Sequence, residues 1–422
     1  MDKADYDIVI LSTARVDDAY SSSALSLAKE LAKNNRVFFI EHPFSAKDFV
    51  TQYSAGQKIK DRKQALLFGE NMYRHTNGTT TNFTVVTPKL TLPINWLSAG
   101  KLYDALSGLN DRILGATLRT VIKDHQIKKY LFINIFVPYY LRNIPADIQP
   151  DLTIYYTVDD ISQEPYIAKH GVRLEKEAVK KADMALATSK ELTRLLGSYS
   201  DNVRFLPNAA DTGLFRKAAE TKLARPEELK GITQKIICYT GNIGTRINYQ
   251  LLKAIALQHP DKVLLMVGPV SNHDYVTTGL DKLQNVLFVG PKNIADLPAY
   301  LQYSDCTIIP FEYSTLTKSI YPLKVNEYLA AGKPVVSTAF SDDIIDFKDV
   351  VYIAQTEQEF VNKISEAIAT DDADKKQDRM QTAQLNTWKA RAEKFWELVE
   401  EQQESNAPAK ATPARFVSAA SL

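Results

Sequence analysis

What most constrains this chain is a beat in its hydrophobicity. The apolar run YDIVILST at 6–13 is followed by the helical pattern SALSLAKELAKN and then by RVFFIEH at 36–42. Short runs that are apolar at every position suit strands buried on both faces of a sheet. The amphipathic segment between them is long enough for the crossover that a parallel pair requires. The beat therefore predicts an open, mostly parallel sheet wrapped by helices. After a polar insertion with the Gly/Thr/Asn cluster at 77–82, strands are predicted at 83–87, 130–135, 152–158, 184–188 and 203–206, with helices at 101–125, 170–182 and 189–198.

The beat then stops and restarts. A charged linker at 216–234, containing Arg225-Pro226-Glu227 and Gly231, interrupts any continuous core element. KIICYTG, a helix at 247–258, KVLLMVG, VLFVG, a helix at 294–303, CTIIP, a helix from Pro322, PVVST and VVYIA make a second α/β unit. A chain of 422 residues is too long for one core. The predicted architecture is two doubly wound Rossmann-like α/β domains, 1–215 and 216–375, facing across a cleft. An amphipathic helix follows around 377–402 with Trp388 and Trp396, and the Ala/Pro/Ser-rich end from 404 reads as disordered. Ligands of such sheets bind beyond the carboxyl ends of the strands, so functional residues are sought just after strands.

Bulk properties exclude several partners. Fifty-one basic and 50 acidic residues nearly cancel, which argues against nucleic acid. Cys238 and Cys306 lie in strand-like runs, and no Cys/His spacing resembles a zinc site, so neither a metal nor a cofactor is expected. The N-terminal segment has acids where a secretory signal has a basic start, and the longest apolar stretch, LFINIFVPYYL at 131–141, is about half a membrane span. A cytoplasmic protein is expected, with peripheral membrane contact as a further option. Basic residues along 101–129, including Lys101, Arg112, Arg119, Lys123, Lys128 and Lys129, either touch anionic lipid or decorate a solvated helix face.

The residues 319–336, SIYPLKVNEYLAAGKPVV, carry the sharpest signal. Pro322 suits a helix start, with Thr317 or Ser319 near enough to cap it, so Lys324 falls in the first turn. A cation there opposes the positive end of the helix dipole unless an anion also binds. Glu327 lies on the same face, roughly 5–6 Å away, about the distance from a diphosphate to its ribose. The alternative is an ordinary Lys-Glu surface pair. YTGNIGTR at 239–246 offers Gly241 and Gly244 for a tight turn, a helix N-terminus beyond it, and Arg246 for phosphate. In YYTVDDIS, Asp159 and Asp160 end a first-domain strand, as an acceptor base, a metal-binding acidic pair or a turn cap. Arg15, after the first strand, is a candidate for phosphate or acceptor, and His42 either reaches the cleft or caps its loop.

Together, YTGNIG, VLFVGPKN, DLPAYLQYSDCTIIPF and PLKVNEYLAAGKPVVST resemble the donor half of GT-B glycosyltransferases, specifically the family-4-like (group 1) bacterial enzymes of cell-surface polysaccharide assembly. LPNAADTGLF at 206–215 is similar to that family's Pro-Asn-(Gly/Ala)-x-Asp-x-x-x-Phe segment, and ADMALATS at 182–189 to its Ala-Asp-x-x-x-x-x-Ser strand. The resemblance implies a hexosyltransferase that moves a sugar from a nucleotide diphosphate donor, such as a UDP-sugar, to a saccharide or lipid-linked saccharide acceptor. It implies that Glu327 holds the ribose, that Lys324, Gly241, Asn242, Gly244 and Arg246 hold the diphosphate, and that the backbone around Gly290 cradles the base. It also implies a C-terminal helix, 376–403, crossing back to the first domain.

Two departures stand out. Retaining members carry a Glu eight positions before the ribose-binding one, and here that position is Ser319; Glu312 lies farther upstream. The Arg-x(4)-Lys pair after the Gly loop is incomplete, since Gln250 and Leu251 stand near the expected Lys. Neither anomeric outcome is therefore assigned. The alternatives are a non-catalytic sugar-nucleotide-binding or assembly protein and a nucleotide-sugar epimerase of the same fold.

Overall fold

The computed structural model describes residues 3–18, 22–53, 56–76, 79–163 and 165–406. The first sheet is built from β1 (Asp7–Ser12), β2 (Val37–Ile40), β3 (Tyr73–Arg74), β4 (Phe83–Val86), β5 (Tyr130–Ile135), β6 (Leu152–Thr157), β7 (Met184–Ala187) and β8 (Val203–Phe205). Its order is β3-β4-β2-β1-β5-β6-β7-β8, parallel except for β3, which runs antiparallel to β4. The second comprises β9 (Lys235–Thr240), β10 (Lys262–Val267), β11 (Val286–Gly290), β12 (Cys306–Ile309), β13 (Val335–Thr338) and β14 (Tyr352–Ala354). It is parallel throughout, in the order β11-β10-β9-β12-β13-β14. Every residue of β1, β2, β5 and β12 is buried, as expected of strands covered on both faces.

Both sheets reverse direction of growth at one place. The first grows from β1 outward through β2 and β4, then returns to lay β5 on the other flank of β1. The second does the same, with β12 returning beside β9. The loops leaving β1 and β5, and those leaving β9 and β12, diverge there and open a crevice. Each domain contributes one such crevice, and a cavity lies where the two meet.

The helices that matter below are α1 (Ser23–Leu31), α2 (Lys101–Asp124), α3 (Pro165–Lys181), α4 (Lys190–Gly197), α5 (Thr212–Glu220), α6 (Tyr249–Gln258), α7 (Leu323–Ala330), α8 (Ala373–Gln384) and α9 (Trp388–Asn406). The insertion before β4 is not featureless: it folds into short helices at Ala46–Gln52, Gln57–Asp61 and Lys63–Phe68. Residues 77 and 78 of its polar cluster lie outside the described residues. The boundary read at 215/216 cuts through α5, whose Phe215 and Ala218 are buried in the core of the second domain.

The single C-terminal helix read from the periodicity is two helices. Leu385-Asn386-Thr387 breaks it, with Thr387 Oγ1 accepting from Ala390 N at 3.1 Å and its backbone bridging to Ala210. Before the break, α8 lies on the second domain, where buried Arg379 donates to the Gly332 carbonyl at 2.9 Å. After it, Phe395, Trp396, Leu398 and Val399 of α9 enter the first-domain core beside Ala24, Leu27 and Ala28 of α1. The chain thus crosses between domains at the break. Residues 404–406, assigned to the tail from composition, remain helical; 407–422 lie outside the described residues.

Candidate functional site

A cavity of ≈ 350 Å³ sits between the domains. Thr13, Ala14, Ile135, Asp159 and Asn208 line it from the first domain, and Tyr239, Asn242, Arg246, Phe311 and the segment Ile320–Lys324 from the second. These are the ends of β1, β5, β6, β9 and β12 and the start of α7, the places where the two crevices converge.

The start of α7 has no side-chain cap, and its Leu323 and Val325 N–H groups donate to the Tyr321 and Pro322 carbonyls at 2.9 and 3.0 Å. Pro322 is its N-cap and makes no side-chain cap bond. The expected caps are committed elsewhere: Thr317 lies in a separate short helix, Thr315–Lys318, capped by Ser314, and buried Ser319 ends that helix by donating from Oγ to the Leu316 carbonyl at 2.8 Å. The positive end of α7 therefore meets the cavity with no side-chain acceptor of its own. Lys324 stands in this first turn, and its Nζ reaches Glu327 Oε2 at 2.9 Å. The pair is not the exposed surface pair of the simpler alternative, because the Glu327 side chain is only 5% exposed and that of Lys324 25%. Buried Tyr328 fastens the helix to the sheet, its OH accepting from Thr240 N at 2.9 Å.

Glycines bring the second-domain loops against this helix. A Cβ on Gly268 would stand 1.9 Å from the Gly241 carbonyl oxygen, and one on Gly241 would meet Lys324 Cε at 2.9 Å. Their φ angles of 151° and 139° exclude other residues equally firmly. Gly244 closes the loop where a Cβ would collide with Ser271 Oγ, the group to which Asn242 Nδ2 donates at 3.0 Å. Gly290 stands one layer back: its carbonyl accepts from Gly268 N at 3.0 Å, and it does not line the cavity. The helix after the Gly loop is capped by Asn248, whose Oδ1 accepts from Leu251 N at 2.8 Å and so takes one of its first-turn N–H groups. Of these two helices, α7 starts without a side-chain cap and α6 with one.

Arg246 spans the cleft, with Nη2 3.8 Å from Oδ1 of Asp159 in the opposite domain. The two first-domain aspartates are not a matched pair. Asp160 is buried and caps the next turn, Oδ1 accepting from Ser162 N at 2.9 Å and Ser162 Oγ at 2.7 Å, while Oδ2 accepts from Gln163. Only Asp159 faces the cavity. Among the described residues no three His, Cys, Asp or Glu side chains stand together as a metal site.

The other first-domain candidates fall away from this cavity. Arg15 ties two loops together, donating to the His42 and Pro43 carbonyls at 3.1 and 3.3 Å and stacking on Phe44. It lines neither the interdomain cavity nor the first-domain cavity beside His42, so its expected role with phosphate or acceptor is not supported by its position. His42 lines a second, first-domain cavity of ≈ 430 Å³ with Asn95, Tyr103, Phe136, Tyr139, Tyr140 and Tyr166. Burial and the nearby Arg15 cation push the imidazole down to about 4, so it is neutral near pH 7. Its Nδ1 and Asn95 Oδ1 are buried without protein partners. Thr13 lines both cavities and marks where they adjoin.

Two features escaped the sequence reading, and a third, Glu312, was named there without a place in the site. Asn208, in PNAADTGLF, lines the interdomain cavity with its Oδ1 buried and unpartnered. Glu312 is held beside Arg246, its N–H donating to the Arg246 carbonyl at 2.9 Å, and burial raises its carboxyl above the usual range. A clasp also joins the domains: Asp343 accepts from Lys190 N at the start of α4 at 3.1 Å, flanked by Lys190–Asp346, Arg194–Asp342 and Lys318–Glu191 pairs. Asn208 had a local motif as signal; the others exist only once distant segments meet.

Residues 234–370 match the family model described as Glycosyl transferases group 1. The chain is 31% identical over 169 residues to TuaH of Bacillus subtilis (strain 168), a protein assigned to teichuronic acid biosynthesis as a glycosyltransferase. That alignment covers 39% of this chain and 42% of TuaH, less than half of the relative's length. An E. coli trehalose-6-phosphate structure bound with UDP-2-fluoro glucose superposes with a TM-score of 0.66 at 10% identity, covering 94% of this chain and 99% of that one. Anabaena HepE in complex with UDP and glucose superposes with a TM-score of 0.60 at 14% identity, again covering 94% and 99%. The second domain carries the group 1 match, and the chain as a whole has the GT-B fold.

Proposed function

We propose that this protein is a glycosyltransferase that binds a nucleotide diphosphate sugar in the interdomain cavity and transfers the sugar, a hexose, to a saccharide or lipid-linked saccharide acceptor. The observation that carries the reading is the uncapped start of α7, with Lys324 in its first turn and buried Glu327 beside it, at the junction of the two crevices. A diphosphate there receives the Lys324 N–H in the first turn of α7, the Lys324 ammonium and the Arg246 guanidinium. Glu327 then exchanges its lysine for two ribose hydroxyls. UDP is the donor nucleotide favoured, from the ligands of the two structural neighbours, and polysaccharide assembly is favoured by the likeness to TuaH. The expected location is the cytoplasm, on the side of the membrane where such donors are made.

In the transfer, the bond between the sugar C1 and the diphosphate oxygen breaks and one to the acceptor hydroxyl oxygen forms. Asp159, on the wall opposite Arg246, takes the hydroxyl proton, and the diphosphate leaves with its charge matched by Lys324, Arg246 and the helix terminus. The aromatic first-domain cavity adjoining at Thr13 holds the acceptor. A second reading, sugar-nucleotide binding without turnover, is favoured by Ser319, whose hydroxyl is spent on ending a helix where retaining relatives have a carboxylate. Incubation with UDP-sugars and a panel of glycan acceptors separates the two. Release of UDP that depends on acceptor supports transfer; UDP binding with no turnover on any acceptor supports the second reading.

A further inference from the structure

Glu175 of α3 is only 2% exposed, and two bonds in series connect it to the loop that carries Asp159. Its Oε1 accepts from Tyr155 OH at 3.0 Å and from Thr157 Oγ1 at 3.1 Å, both side chains of β6. Thr157 Oγ1 also stands 3.1 Å from the Asp159 carbonyl oxygen, in position to donate to it. The loop is fixed on either side of that point. Thr188 Oγ1 donates to the Val158 carbonyl at 3.1 Å, and the Asp160 carboxylate accepts from Ser162 N at 2.9 Å. Between these two ties, Thr157 anchors the Asp159 backbone.

A threonine hydroxyl has one proton, so it cannot donate fully to both acceptors at once. The protonation of Glu175 decides between them. An ionised carboxylate is the stronger acceptor, so it draws the Thr157 proton and the Asp159 carbonyl loses that donor. A protonated carboxyl is itself a donor. Oε1–H then points at Thr157 Oγ1, which accepts it and turns its own proton to the Asp159 carbonyl. The result is one directed chain from Glu175 through Thr157 to Asp159, in which each bond polarises the next. The surroundings bring this choice close to neutral pH. Burial pushes the Glu175 carboxyl up to about 7; the bonds from Tyr155 and Thr157 act against that rise, and the nearby Asp160 carboxylate adds to it. The other titratable neighbours are Tyr139 after β5 and Tyr199 after α4, both phenols held above their ordinary range by burial, and Lys176, which lies over the Tyr199 ring.

We infer that Glu175 is a positioning residue for transfer: through the Thr157 hydroxyl, its protonated carboxyl fixes the backbone of Asp159 and so sets where the Asp159 side chain meets the acceptor. This rests on the reading of Asp159 as the group that takes the acceptor proton. Glu175 lines neither the interdomain nor the first-domain cavity, so its influence on the reaction passes through β6. The tether is present while Glu175 is protonated and is lost as it ionises. Ionisation therefore loosens a group that the reaction needs in one place, and slows the chemical step. Donor binding is left alone, because Lys324, Glu327 and Arg246 belong to the second domain.

The test compares wild type, Glu175→Gln and Thr157→Val at pH 6 and pH 8. Acceptor-dependent release of UDP from a UDP-sugar measures transfer, and hydrogen exchange of residues 158–163, corrected for the intrinsic pH dependence of exchange, measures the tether. The glutamine amide keeps a donor toward Thr157 and cannot ionise; valine keeps the shape of threonine and removes its hydroxyl. Wild-type kcat is expected to fall about 2- to 10-fold from pH 6 to pH 8, the rate equivalent of one hydrogen bond, with the donor KM unchanged and the loop exchanging faster. Glu175→Gln is expected to keep the pH 6 rate and loop protection at both pH values, and Thr157→Val to show the pH 8 behaviour at both. Either variant alone decides the comparison with wild type, so one that fails to fold leaves the test intact. Parallel pH profiles of kcat in wild type and variant overturn the inference, as does a loop that exchanges alike in both. A loop step that Glu175→Gln removes, in a protein that transfers to no acceptor or whose Asp159→Asn variant keeps the wild-type rate, would instead overturn the base reading of Asp159 and leave only the tether.

Discussion

Replacing Lys324 and Glu327 one at a time separates two halves of a single ligand. In the unliganded protein they hold each other at 2.9 Å, and the Glu327 side chain is nearly buried. On the proposed reading, Lys324→Ala removes the ammonium that meets the diphosphate, leaves the carboxylate that meets the ribose, and frees that carboxylate from its ion pair. Glu327→Ala removes the ribose contact but leaves the ammonium. A hydrogen bond to a charged group contributes roughly 1.5–3 kcal/mol, which is about 10- to 150-fold in affinity. Lys324→Ala is therefore expected to weaken UDP by that factor and to leave uridine unchanged or tighter. Glu327→Ala is expected to weaken both ligands. Calorimetry measures UDP, and ligand-observed NMR competition measures uridine. Because Lys324→Ala strands a buried carboxylate, it also lowers stability by about 1–3 kcal/mol, so thermal melts must accompany the titrations. Equal losses for uridine and UDP in Lys324→Ala, with a native melt, would refute the reasoning.

Three further outcomes follow from the geometry. Asp159→Asn should lower the transfer rate about 10²- to 10⁴-fold with UDP affinity little changed, because its half-exposed pair with Arg246 is weak; Asp160→Ala should instead cost about 1 kcal/mol of stability through its lost cap and spare transfer, and steady-state kinetics with urea melts distinguish the two. Glu175, buried against Tyr155 OH at 3.0 Å and Thr157 Oγ1 at 3.1 Å, has its carboxyl pushed by burial from 4.5 to about 7. A raised folded-state pKa adds stability that is full below about 4.5 and lost as pH rises through about 7. The loss is up to about 3 kcal/mol, so Glu175→Gln should flatten the stability profile, and identical urea midpoints for variant and wild type at both pH 5 and pH 8 would contradict this. Gly268→Ala should cost more than about 3 kcal/mol or abolish soluble expression, since its Cβ would overlap the Gly241 carbonyl; a native melt would show that the two loops do not touch.

Much of the fold was legible because buried parallel strands write themselves as continuous apolar runs. KIICYT, KVLLMV and CTII became strands almost to the residue. What failed was punctuation. Nothing in the helical periodicity from 373 to 406 shows that Thr387 bridges to Ala210 and turns one helix into two. At the site, Lys324 and Glu327 were legible because their spacing and the preceding Pro322 are local facts. Asp160 and Asp159 look equivalent in sequence and differ only in what their side chains meet: Ser162 and Gln163 for one, Arg246 of the other domain for its neighbour. Arg15 looked like a phosphate ligand because it follows β1, yet carbonyls of the loop after β2 take its donors.

The most direct test of the central claim is a crystal structure of the protein soaked with UDP. The diphosphate is expected at the start of α7, within hydrogen-bond reach of the Lys324 N–H and Nζ, with Glu327 released from Lys324 and holding the ribose hydroxyls. UDP bound elsewhere, or bound in the cavity with the Lys324–Glu327 pair intact and no contact to the ribose, would contradict it.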